Sequence, residues 1–267
     1  MRLSDVSEAI WIGYTTRYRE GGPKFERAAL TLAADKREAF PGLTVRCECV
    51  ESKAEFLAAM RRLADEGKQL RELHLIVHSG MYGPMFGSVA WPEQFSPHEW
   101  RTMQLPLAAG AEAFFHACRS ARWFAPFFAR TFGVPAHGYH WYTTVSSAPD
   151  KFRWDRLVGP KAPLYIFGMP GRKSHGVPGS VRKYLGLARP EPMQRFAPTP
   201  VEGDPSYDAV AELYDRVFAD IRVRSDEWRW LDARVPAEGH DEFAALAQDF
   251  NGLAATLAGH RDAVRVP

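Results

Sequence analysis

Cysteine is scarce in this chain of 267 residues: Cys47, Cys49 and Cys118 are the only three. An odd and small number of thiols makes a poor disulfide framework, so stability must come from a packed core, for which the length is ample. An excess of one charge is missing too, since 34 Lys and Arg against 32 Asp and Glu leave a formal +2. A field that weak gives no reason to expect nucleic acid or an anionic membrane as partner. Long apolar runs are absent: the longest, such as Leu73 to Val77, are strand-sized and far short of the ~20 residues of a membrane helix. The opening MRLSDVSEAIWIGY has no basic stretch followed by a long apolar one. A reducing, cytoplasmic setting is therefore expected.

Several chemical signatures are missing as well. Neither a G-x-S-x-G elbow nor a G-x-G-x-x-G turn occurs, which removes the main support for a serine α/β-hydrolase or a dinucleotide site. Gly168 to Ser174 (GMPGRKS) has the flavour of a phosphate loop, but its spacing is wrong and Pro178 argues against the helix such a loop needs. Cys47 with Cys49, and His116 with Cys118, lack the C-x₂₋₄-C spacing of structural zinc sites. His137 and His140, three apart on a presumed strand, point to opposite faces. No metal and no organic cofactor is expected.

What is present is an alternation of strand and helix patterns. Ala9 to Thr15 is a short apolar and aromatic run suited to a buried strand. Pro23 then opens a helical pattern that closes at Pro41-Gly42. Leu43 to Val50 alternates as a second strand, and Ser52 with Glu55 forms a capping box before Phe56, Leu57, Met60 and Leu63 at helical spacing. Leu73 to Val77 reads as a central strand covered on both faces. Met81 to Leu105 reads as loop with one short helix at Ser96. A fourth strand is expected at Ala111 to Ala117, a helix at Arg122 to Phe132, an aromatic strand at Tyr139 to Val145 and a last strand at Leu164 to Phe167.

Such a βαβ series predicts an α/β fold: a three-layer αβα sandwich around a mostly parallel sheet, with a C-terminal helical extension. The expected division is residues 1–168 for the α/β domain, 169–205 for a basic linker rich in Gly and Pro, and 206–267 for the extension. Tyr207 to Trp230 and Asp241 to Leu257 read there as amphipathic helices. The segment from Tyr207 to Leu231 weakly resembles the helical lead-in of class I methyltransferases, but the glycine-rich strand that should follow is missing. A helix packing Val210, Leu213, Val217 and Ile221 on a core is the better reading.

Open parallel sheets bind ligands beyond the carboxyl ends of their strands. Two such ends stand out, His78 after the third strand and Cys118 after the fourth. A cysteine attacks as thiolate, and a neighbouring imidazole promotes that state and later protonates the leaving amine. Backbone amides at Ser79, Gly80 and Cys118 are candidates to hold the oxyanion. Taken singly, a Cys or His ending an apolar strand is more often a core residue than a catalytic one.

The segments Leu73 to Trp91 (LHLIVHSGMYGPMFGSVAW), Ala111 to Ala121 (AEAFFHACRSA) and Gly133 to Tyr142 (GVPAHGYHWY) together resemble the caspase-like (clan CD) cysteine peptidases, in their CHAT-type version. The resemblance covers roughly Ile10 to Phe167. It implies a peptidase in which Cys118 is the nucleophile and His78 the general acid and base, acting on a polypeptide substrate without a cofactor. Trp141, Tyr142, Asp150 and Arg153 would then contribute to substrate binding. One departure is plain: the family usually has glycine directly after its histidine, whereas Ser79 intervenes here before Gly80. In a slipped alignment Met81 would take the histidine's place. The alternative is thus an inactive caspase-like module that binds a protein partner through aromatics such as Trp91, Trp100, Trp141 and Trp154.

Overall fold

Successive residues of a strand face opposite ways, and the first strand, β1 (Ser7–Tyr14), shows what covers each side. Ile10, Ile12 and Tyr14 pack with Ala29 and Ala33 of helix α1 (Gly22–Ala39). Trp11, facing the other way, meets Phe56 of helix α2 (Lys53–Asp65) edge-on, with ring centroids 5.7 Å apart. Helices therefore flank the sheet on both faces. A computed structural model describes residues 7–80, 83–87, 92–169 and 176–198 of the chain. The helices read at Tyr207 to Trp230 and Asp241 to Leu257, like Met81 and Trp91, lie outside the described residues.

The starts of both helices follow from local sequence. Pro23 sits in the first turn of α1, where its missing N–H leaves no bond unmade. Gly22 beside it is obligatory, because a Cβ there would lie 2.1 Å from the carbonyl oxygen of Thr16. At α2 the Ser52 hydroxyl accepts from the Glu55 amide at 3.1 Å. Glu55 reaches back to the amide of Glu51, at 2.7 Å, so the capping box closes one residue early.

The remaining elements are, in chain order, β2 (Thr44–Cys49), β3 (Lys68–Ile76), β4 (His78–Gly80), β5 (Gly83–Gly87), β6 (Pro92–Gln94), α3 (Pro97–Thr102), β7 (Leu107–Phe115), α4 (Phe124–Phe132), β8 (Ala136–Gly138), β9 (Thr143–Ser146), β10 (Tyr165–Gly168), α5 (Gly176–Tyr184) and β11 (Gln194–Phe196). The central sheet runs β11-β8-β7-β3-β1-β2. All its pairs are parallel except β11 on β8. Strand β3 is thus interior, between β1 and β7, and its Leu73, Leu75 and Ile76 are buried.

Four features differ from the sequence reading. Of the described residues between Gly83 and Leu105, most are not loop, because α3 lies there and β5 and β6 join β4 in a small antiparallel sheet. Its Gly- and Pro-rich strands hide the usual alternation. The stretch from Tyr139 to Val145 is not one strand. β8 stops at Gly138, and the chain then wraps the Cys118 turn, accepting hydrogen bonds from Ala121 N on Tyr139 O and from Arg119 N on Trp141 O. β9 resumes at Thr143 and pairs antiparallel with β10, so the last expected strand belongs to a hairpin outside the main sheet. Finally, the stretch that reads as linker contributes α5 and the edge strand β11.

Trp100, expected as a surface aromatic, is 1% exposed. It packs against Phe56, Phe95, Phe124 and Phe128, with ring centroids 4.9 to 5.8 Å away. Trp141 is half-buried, whereas Trp154 is 47% exposed and lies against Tyr184. Among the described residues, Trp100 therefore belongs to the core and not to a surface for a partner. Among the described residues no helix is long and apolar enough to cross a membrane.

Candidate active site

His78 and Cys118 follow the carboxyl ends of neighbouring strands, β3 and β7. His78 opens β4 opposite Met85. Its imidazole rests between two rings, Phe25 at 4.8 Å and Tyr18 at 5.7 Å. Nε2 lies 2.9 Å from the carbonyl oxygen of Glu20. A carbonyl only accepts, so Nε2 carries the hydrogen and Nδ1 of the neutral ring keeps its lone pair. Among the described residues Nδ1 has no hydrogen-bond partner.

The Glu20 carbonyl belongs to the loop after β1, and Glu51 organises the start of that loop. Its carboxylate accepts from the amides of Thr16, at 2.8 Å, and Arg17, at 3.2 Å, and from the hydroxyl of Thr16. It also takes the Cys49 thiol hydrogen at 3.2 Å. Burial pushes the Glu51 carboxyl up, but these hydrogen bonds outweigh it and hold the group below the usual carboxylate range. For Cys49 burial dominates, joined by the bond to Glu51, and its thiol is raised to about 11. Cys47 is likewise raised by burial to about 11, so neither supplies thiolate near neutral pH.

Cys118 sits on a turn fixed from several directions. Arg119 adopts the left-handed conformation, φ 58°. The Ser120 hydroxyl lies 2.9 Å from the carbonyl oxygens of Phe115 and Ala117 and accepts from the Tyr139 amide at 3.1 Å. Gly138 is obligatory, because a Cβ there would come within 2.7 Å of the Ala121 amide nitrogen. The Cys118 sulfur accepts from the amide of Thr143 and lies as close to the Thr143 hydroxyl, 3.2 Å in each case.

The two segments touch directly. The Ser79 hydroxyl donates to the carbonyl oxygen of Cys118, so Ser79 ties the strand that holds His78 to the cysteine turn. No hydrogen bond joins the His78 ring to the Cys118 sulfur among the described residues. The Cys118 amide donates to none of them either, which leaves it available to an incoming oxyanion. Gly80 lies opposite Gly83 in the small sheet.

The expected substrate-binding residues are divided. Tyr142 receives a hydrogen bond from Arg119 Nη2 at 2.5 Å, and the Arg122 guanidinium lies 4.8 Å from the centre of the Trp141 ring. Both aromatics thus flank the cysteine turn. Asp150 and Arg153 are exposed on the connection from β9 to β10, where the Arg153 amide bonds the Ser146 hydroxyl at 2.9 Å. No hydrogen bond carries either side chain to Cys118.

Sequence reasoning missed Thr143, Glu51 and the Glu20 carbonyl. It also missed a buried polar row on the α1 face of the sheet, where Lys36, Glu72, His74 and His116 follow one another at hydrogen-bonding distance. Among the described residues no group of three or more His, Cys, Asp or Glu side chains is arranged to hold a metal ion.

Compared with models of known protein families, with curated proteins and with solved structures, the chain has no match.

Proposed function

We propose that the chain is a caspase-like cysteine peptidase of the CHAT type, hydrolysing a peptide bond with Cys118 as nucleophile and His78 as general acid and base. One observation carries this reading. Past the ends of adjacent parallel strands stand a thiol and an imidazole whose outer nitrogen is fixed by the Glu20 carbonyl, so that the basic nitrogen is the unengaged one. In this mechanism His78 Nδ1 takes the proton of the Cys118 thiol as sulfur attacks the carbonyl carbon. The developing oxyanion is held by the free Cys118 amide, with Ser79 and Gly80 as further candidates. Collapse breaks the C–N bond while His78 returns the proton to the leaving amine. A water, deprotonated by His78, then hydrolyses the thioester and frees the thiol. The substrate is a polypeptide, and no cofactor enters the balance.

A second reading, an inactive caspase-like module that binds a protein partner, is favoured by one fact: the sulfur is engaged by Thr143 rather than by His78. The two readings separate in one experiment. The purified chain is treated with limiting iodoacetamide at neutral pH, and the alkylated residue is mapped by mass spectrometry beside a peptide-library cleavage assay. Selective alkylation of Cys118 and cleavage that both vanish in His78→Ala are expected of the peptidase. Alkylation no faster than that of a free peptide cysteine, with no cleavage, would leave the binding module.

A further inference from the structure

The buried row ends at a cavity. Lys36 Nζ lies 2.5 Å from Glu72 Oε2, which lies 2.8 Å from His74 Nε2, and His74 Nδ1 lies 3.1 Å from His116 Nε2. Hydrogen positions follow by elimination. An ionised carboxylate only accepts, so His74 Nε2 carries the hydrogen and its Nδ1, in the neutral ring, accepts from His116 Nε2–H. The one polar atom left on His116 is then an Nδ1 lone pair, which has no partner among the described residues.

His116 lines a cavity of about 190 Å³ between α1 and β10. Its apolar walls include Ala28, Leu32, Ile76, Leu164 and Ile166. Two other lining side chains can hydrogen-bond: Asp35, an exposed carboxylate that only accepts, and Tyr165, whose hydroxyl accepts or donates. A ligand suited to this space has an aliphatic stem, donates at least one hydrogen bond and carries positive charge. An anion would face an imidazole lone pair and a carboxylate, both repulsive, with only the neutral Tyr165 hydroxyl to donate to it. The Lys36 ammonium does not reverse this balance, because Glu72 pairs with it.

We propose that this cavity binds an alkylammonium or alkylguanidinium group, its stem against the apolar walls, its N–H on His116 Nδ1 and its charge beside Asp35. The group comes either from a free amine or from a Lys or Arg side chain of a polypeptide. The site does not depend on Cys118 being a nucleophile.

The test is a set of ¹⁵N NMR titrations of the full chain at pH 7.5 with n-butylammonium chloride, with n-butanol and with acetyl-Ala-Lys-Ala-amide. Wild type is compared with Asp35→Asn and His116→Asn. Saturable shifts are expected in α1 and β10, together with a shift of the His116 ring nitrogens. Binding should be about tenfold weaker for the neutral alcohol and for either variant, the scale of one charge-assisted hydrogen bond. Saturation by n-butylammonium assigns the site to free amines. Saturation by the peptide alone assigns it to a polypeptide side chain. Equal binding of n-butanol, indifference to Asp35→Asn, or no saturation by either amine would overturn the proposal. Asp35 is on the surface, so that variant and the His116 ring shift decide the matter even if His116→Asn fails to fold.

Discussion

Ser79 and Cys118 are joined by a hydrogen bond from a side-chain hydroxyl to a main-chain carbonyl, which couples the turn holding the sulfur to the strand holding the imidazole. The bond fixes the plane of the peptide after Cys118 in a turn where Arg119 already holds the left-handed conformation. Replacing Ser79 by Ala removes it and leaves a part-buried carbonyl without this donor. A loss of about 1 kcal/mol in urea unfolding is expected. The rate of Cys118 alkylation should change by more than the small stability loss explains, because the turn is reoriented. An unchanged rate would show that the tie is only structural.

Thr143 holds the thiol by two groups, an amide and a hydroxyl, each at 3.2 Å. Thr143→Val keeps the side-chain shape and the amide but deletes the hydroxyl. If that hydroxyl stabilises the resting thiol away from His78, the variant should alkylate several-fold faster at Cys118 and, on the peptidase reading, cleave faster. Slower alkylation would mean that the hydroxyl serves the reactive thiolate.

Glu51 acts at one remove. Its carboxylate gathers Thr16, Arg17 and Cys49, and the same loop offers the Glu20 carbonyl that orients His78. In Glu51→Gln one accepting oxygen becomes an NH₂ group that faces existing donors. A loss of about 1 to 3 kcal/mol in stability is expected. The positioning role predicts in addition an altered pH profile of Cys118 alkylation, since a loosened His78 no longer presents Nδ1 alone. A profile matching wild type would confine Glu51 to a structural part.

How much of this was written in the chain depends on the range of the interaction. The start of α2 was legible because Ser52 and Glu55 sit three apart. The placement of β3 was legible from Leu73 to Val77, a run apolar but for His74, as suits a strand covered on both faces. The pairing of β9 with β10 was not, since a short aromatic strand carries no mark of which sheet it joins. Likewise β4 to β6 are held by pairing between Gly- and Pro-containing strands, with no alternation to read. In the site, His78 and Cys118 were found as polar residues ending apolar runs. Thr143 and the Glu20 carbonyl were not, because each acts across 25 and 58 residues of chain. The buried row left one faint mark: Glu72 and His74 stand two apart on one face of β3, with His74 set among the apolar Leu73, Leu75 and Ile76.

That row also sets the behaviour in acid. Burial lowers the pKa of His74 from its ordinary 6.5 despite the neighbouring Glu72. Burial, then the nearby His74 and Lys36, lower that of His116 well below 6.5. Burial pushes Glu72 up, but the hydrogen bonds and charges of His74 and Lys36 prevail and hold it at about 2, against an ordinary 4.5. His137 and Glu112, 3.3 Å apart, lie farther along the same face. The signs agree. His74, His116 and Glu72 each bind a proton less readily folded than unfolded, so the stabilisation each gives is complete above its unfolded pKa and is lost as pH falls toward the folded value. Urea unfolding should therefore show constant stability above pH 6.5 from this row. Below it the loss should approach about 1.4 kcal/mol per pH unit for each imidazole, with Glu72 adding its own loss between pH 4.5 and about 2. Glu72→Gln should abolish the second step while lowering stability at neutral pH, because Lys36 is left beside His74 without its carboxylate. A wild-type profile flat from pH 8 to 5 would mean that the imidazoles titrate as they do in the unfolded chain, and the tautomer chain that leaves His116 Nδ1 as an acceptor would lose its footing.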